Sequence, residues 1–164
     1  MNQTMTGCLN IESDFINNHM NDAELIWEAY TVRPKPIPLG IDNLVLVKRK
    51  AGDGFNYGIF DYSEKPRKMI GHISGFESDY GRYKDTFHLY RTELTEEARN
   101  DPKYHNKGIY RTAIQKVANL YPNGLYVGQF EASIKLQKSL AKMPTYEFID
   151  NDVYLKDIFI RPTK

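Results

Sequence analysis

Between Leu44 and Thr95 the chain carries four strand-type patterns in succession, and helical periodicity follows only afterwards. Leu44-Val45-Leu46-Val47 is a continuous β-prone run of the kind buried on both faces. Ala51-Gly52-Asp53-Gly54 reads as a turn, and Phe55, Tyr57 and Ile59 alternate beyond it, so the two runs predict a hairpin. A charged turn at Glu64-Lys65-Pro66-Arg67 leads to a third strand from Met69 to Phe76, and Ser78 to Lys84 is a polar loop. The fourth strand spans Thr86 to Thr95, with Phe87, Leu89 and Arg91 expected on one face and His88, Tyr90, Thr92 and Leu94 on the other. Strands in meander order followed by helices predict an α+β or mixed sheet and exclude a regular βαβ array.

After these strands the patterning changes. Glu96 to Asp101 is charged and helix-tolerant, and Pro102-Lys103-Tyr104-His105-Asn106-Lys107 is a polar loop opening at Gly108 into a helix. That helix is expected to bury Ile109, Ala113, Ile114, Val117, Leu120 and Tyr121 and to stop at Pro122-Asn123-Gly124. Leu125-Tyr126-Val127 is a short central strand. A second helix, from about Glu131 to Lys142, carries Ile134, Leu136, Leu140 and Met143 as its apolar set. Tyr146 to Ile149 and Val153 to Ile160, around Asp150-Asn151-Asp152, predict a closing hairpin.

Residues 1–40 read as a separate leading segment. A short helix is expected within 10–18, and Ala23, Ile26, Trp27 and Tyr30 fall at i, i+3, i+4 and i+7 on another, capped by Asn21 or Asp22. Pro34, Pro36 and Pro38 then make a stiff extended connector ending at Gly40. The domain proper is expected over 41–164.

The net charge of +1 gives no global basic field for nucleic acid, and the basic runs at 48–50 and 65–68 fit solvated strand ends and turns. A single cysteine, Cys8, excludes an intramolecular disulfide and a cysteine-based metal site. His19, His72, His88 and His105 include no close pair at ligand spacing, so no metal is expected. No apolar run approaches a membrane span, and a soluble, cytoplasmic protein is expected.

The loop-to-helix junction at Gly108 presents unpaired backbone N–H groups and the positive end of a helix dipole, which suit a phosphate. The strand–loop–helix–strand–helix–hairpin order from Thr86 onward, with Pro102, Tyr104, Gly108 and Ile109 in the loop and Ser133 and Leu136 in the second helix, resembles the GCN5-related N-acetyltransferase family. The resemblance implies a mostly antiparallel central sheet with splayed middle strands, flanked by helices. It implies acetyl-coenzyme A as cosubstrate and transfer of its acetyl group to an amine of unknown identity. In that reading His105, Asn106, Lys107, Gly108, Ile109 and Tyr110 hold the pyrophosphate. The backbone near Glu93, Leu94 and Thr95 pairs with the pantetheine arm, Ser133 reaches the same arm, and Glu93 is the general base, directly or through a water. The pattern departs from the family at His105 (for Gln/Arg), Tyr110 (for Gly/Ala) and Gln137 (for the frequent tyrosine acid). Those departures imply an alternative: a catalytically silent relative serving as a structural or interaction protein. The stretch Asp22 to Tyr30 is similar to leading helices of some tailed-phage proteins, which implies a phage virion component docking on a partner through that helix.

Overall fold

The computed structural model describes residues 35–51, 54–128, 132–150 and 156–163. The expected helices within 10–18 and 21–30, the Gly52-Asp53 turn, Glu131 and the chain from Asn151 to Leu155 lie outside the described residues.

Among the described residues eight strands form one sheet: β1 (Ile37–Pro38), β2 (Leu44–Ala51), β3 (Gly54–Asp61), β4 (Lys68–Ser78), β5 (Thr86–Leu94), β6 (Leu125–Gly128), β7 (Tyr146–Asp150) and β8 (Lys156–Ile160). Three helices accompany them: α1 (Glu96–Arg99), α2 (Ile109–Ala118) and α3 (Ile134–Leu140). The fold is therefore mixed, with strand order β1-β2-β3-β4-β5-β6-β8-β7. Every neighbouring pair is antiparallel except β5 and β6, which run parallel. The proline connector contributes β1, a two-residue edge strand on β2, a position where Pro38 displaces no interior ladder bond.

The run Leu44–Val47 is buried on both faces as its composition predicts. Leu44 and Leu46 enter the main core with Tyr57, Ile59, Ile73, Phe87 and the buried face of α2 (Ile109, Ala113, Ile114, Val117). Val45 and Val47 point the other way, into a small cluster with Phe60, Tyr62 and Met69.

Two bulges break the side-chain alternation. On β4, Ile59 faces Gly71 while Phe60 faces Met69, so Ile70 is the extra residue. On β5, Arg91 faces Ser74 while Leu89 faces Gly75, so Tyr90 is the extra residue. The second bulge corrects the expected faces of β5. Leu94 packs on the main core with Phe87 and Leu89, whereas Glu93 turns to the opposite face and meets His72. One inserted residue reverses every side chain after it.

Helix α2 begins at Ile109 with Gly108 as its N-cap and ends at Ala118, four residues before Pro122. Leu120 is therefore beyond the helix and exposed, contrary to expectation, while Tyr121 is buried and its hydroxyl meets that of Tyr57 at 2.7 Å. Helix α3 is shorter than its periodicity suggested: Ser133 caps it, Leu140 and Met143 are buried, and Ile134 is 71% exposed. The polar loop before β5 includes a single 3-10 turn, Gly81–Tyr83. Arg82 and Tyr83 both donate to the buried Asp157 carboxylate, at 2.5 and 2.6 Å, tying that turn to β8.

Candidate functional site

The Pro102–Gly108 loop is fixed from its start. The Asp101 side chain accepts from Lys103 N–H, and residues Pro102–Tyr104 form a 3-10 turn that inserts Tyr104 into the core. The Tyr104 hydroxyl donates to Asp61 at the end of β3 (2.6 Å). Asp61 is 3% exposed and also accepts from Ser63 N–H (2.9 Å) and Ser63 Oγ (2.6 Å), with Lys103 Nζ at 3.3 Å. Burial alone would raise its pKa, but these donors outweigh burial and hold the carboxyl down to about 2. Burial and the Asp61 carboxylate together push the Tyr104 phenol up, so it remains the donor. Tyr104 stands out in the sequence as part of the loop pattern, but Asp61 carries no such signal. Asp61 is a turn aspartate by position, and only the fold brings Tyr104 onto it.

Beyond this anchor the chain turns twice into left-handed backbone, at Asn106 (φ +57°) and Gly108 (φ +67°). Glycine at the cap leaves no side chain over the first turn of α2. The N–H groups of Ile109, Tyr110 and Arg111 have no intrahelical acceptor, and Thr112 N–H is the first to bond back, to Gly108 O (3.0 Å). The Arg111 guanidinium lies 3.7 Å from where a Cβ on Gly108 would sit. It places a cation beside the positive end of the helix dipole, where an unaccompanied cation is disfavoured and an anion would be held. A basic residue in the first turn of α2, with no acidic residue there, was the available sequence signal for Arg111.

The other loop residues serve the chain itself. His105 Nε2 donates to the Arg99 carbonyl (2.7 Å), which turns its ring back to α1, and Lys107 pairs with Asp42 on the turn between β1 and β2. Ile109 is a core residue. Ser133 Oγ accepts from Leu136 N–H (3.1 Å) as the cap of α3.

Strand β5, which carries Glu93 and Leu94, is only partly paired on its β6 side. Strands β5 and β6 pair over only Phe87↔Leu125 and His88↔Tyr126, so from Leu89 onward β5 has no ladder partner on that side among the described residues. Thr95 N–H bonds Ile70 O across β4 (2.8 Å), and Leu94 N–H donates to the Tyr110 hydroxyl. The Tyr110 phenol thus reaches from the first turn of α2 to the unpaired edge of β5, and burial raises its pKa.

Glu93 belongs to the sheet face away from α2. Its Oε1 is 3.1 Å from His72 Nε2, and His72 Nδ1 is 3.2 Å from Ser74 Oγ. Nearer the β5–β6 junction the same face carries an aromatic stack. Tyr126 lies between Tyr83 (ring centroids 4.2 Å apart) and His88 (4.3 Å), with its hydroxyl at 3.0 Å from His88 Nδ1. His72 and His88 therefore have different roles, one bridging polar groups and one stacking.

Among the described residues no group of three or more His, Cys, Asp or Glu side chains is placed to hold a metal ion, and no helix is long and apolar enough to cross a membrane. No known protein family, curated protein or solved structure matches the chain.

Proposed function

We propose that this protein has the GCN5-related N-acetyltransferase fold, binds acetyl-coenzyme A, and transfers the acetyl group to an amine. The observation that carries this reading is the unpaired edge of β5 beyond His88 beside the uncapped first turn of α2. A sheet that opens between two parallel strands next to a helix N-terminus offers backbone partners for an extended arm and a seat for its diphosphate. The order β2-β3-β4-β5-β6-β8-β7, with one parallel junction, supports the same fold. The diphosphate lies over Gly108 to Arg111, with the Arg111 guanidinium adding charge-assisted hydrogen bonds. Glu93 takes the proton of the acceptor ammonium, the amine attacks the thioester carbonyl, the carbon–sulfur bond breaks, and the proton the nitrogen then sheds passes to the leaving thiolate to give the thiol.

Calorimetric titration with acetyl-coenzyme A tests this. The parent protein binds, and Arg111→Glu, at an exposed position, binds at least about tenfold more weakly. No binding by the parent at millimolar ligand overturns the reading.

A second reading is favoured by the hydrogen bond from Leu94 N–H to Tyr110, which uses a backbone donor assigned to the cofactor arm. Here the protein is a silent relative serving as a structural or interaction component, such as a phage virion protein. It predicts that the parent does not bind acetyl-coenzyme A, whereas Tyr110→Ala, which releases that donor, does.

A further inference from the structure

We propose that Ser74, His72 and Glu93 form a second reactive site, an acyl-accepting serine for small activated esters and thioesters. Ser74 and His72 stand two apart on β4 and therefore share a face, and Glu93 is the direct cross-strand partner of His72. The Glu93 carboxylate at 3.1 Å accepts from His72 Nε2–H and so fixes that tautomer. Nδ1 then carries the lone pair and accepts from the Ser74 hydroxyl at 3.2 Å. Nucleophile, base and orienting acid thus stand in hydrogen-bond sequence. The imidazole uses its two nitrogens in the reverse sense to the familiar serine hydrolase arrangement, but the division of labour is the same.

Space for a substrate lies beside them. A cavity of about 150 Å³ is lined by Ser74, His72, Asn56, Gly58, Arg49 and Met69, comparable to cavities that admit benzene. Gly58 faces His72 across the ladder and lines this cavity with it, and the Phe60 ring, 2.6 Å from where a Cβ on Gly58 would be, leaves no room for a side chain there. Asn56 faces Ser74 directly across the ladder and lines the same cavity, so its amide is the group on hand to donate to an oxyanion formed at Ser74.

The step balances within the site. Ser74 Oγ bonds to the acyl carbon as its proton passes to His72 Nδ1. The bond from that carbon to the leaving oxygen or sulfur breaks, and His72 returns the proton to the leaving group. A water then attacks the acyl-serine with the same proton transfers, releasing the carboxylic acid and restoring Ser74.

Two probes without coenzyme A test this apart from the acetyltransferase reading, so either proposal can fail while the other stands. The first is p-nitrophenyl acetate, with nitrophenolate release followed by absorbance and the acetylated peptide mapped by mass spectrometry. The expected result is acetyl on Ser74, no such adduct in Ser74→Ala, and acylation slowed about a hundredfold or more in His72→Gln. Acetylation confined to lysine or tyrosine residues, or equal nitrophenolate release by the parent and Ser74→Ala, overturns the proposal. The second is a fluorophosphonate applied to the parent chain alone, which requires no variant to fold. Labelling of Ser74 supports the site, and absence of label there overturns it.

Discussion

Asp61 is the residue through which the candidate phosphate loop is tied to the sheet, and its ionisation is a direct probe of that tie. Replacing it with asparagine keeps the shape but removes the charge. It also presents an amide N–H₂ where donors from Ser63 and Tyr104 now converge. In the folded protein the carboxyl titrates at about 2, against 3.8 for an unstructured aspartate. The folded pKa is the lower one, so the stabilisation is complete above about pH 4 and is lost as pH falls towards about 2. A difference near two pKa units corresponds to about 2 kcal/mol at neutral pH. In a domain of this size that is roughly 4–8 °C of melting temperature. The assay is urea unfolding of the parent and Asp61→Asn at about pH 7, 5 and 3. The expected gap between the two is widest at about pH 7 and closes across the acid range. A gap that is the same at all three pH values would mean the carboxylate is not held by these donors, and the reasoning would be wrong.

Three further perturbations follow from the packing. A methyl group on Gly75 would overlap the His88 carbonyl oxygen and the Phe87 ring, so Gly75→Ala forces β4 from β5 and costs about 3 kcal/mol in chemical denaturation. The Tyr57 and Tyr121 hydroxyls satisfy each other in the core, where burial pushes the Tyr57 phenol up to about 12. Tyr121→Phe therefore strands the Tyr57 hydroxyl and costs about 1–2 kcal/mol, Tyr57→Phe costs less because the Tyr121 hydroxyl keeps Glu77 as a partner, and the double substitution costs less than the sum of the two, a coupling read from a double-mutant cycle. Ser133→Ala removes the cap of α3 and lowers stability by about 1 kcal/mol, and a loss well below that would place its hydroxyl outside the helix's hydrogen-bond accounting.

Much of the fold is written locally. The alternation of Tyr57 and Ile59, the all-apolar run at Leu44–Val47 and the spacing of Ile109, Ala113, Ile114 and Val117 each identify an element and its buried face. These signals depend on a residue's near neighbours and the period of the backbone, so they survive in one dimension. The glycine at 108 likewise marks where a helix starts.

Register and reach are different in kind. The bulge at Tyr90 leaves no mark in the alternation of β5, yet it sends Glu93 to the face opposite the one its spacing implied. Whether Glu93 meets His72, Asp61 meets Tyr104, or Tyr110 meets Leu94 depends on how strands slide past one another and where a helix docks. Those contacts join residues up to 43 positions apart, and their energies are set by burial and geometry that no local pattern encodes. Composition and period thus settled which segments are strands and helices. Cross-strand pairing in the folded chain settled which side chains share a site.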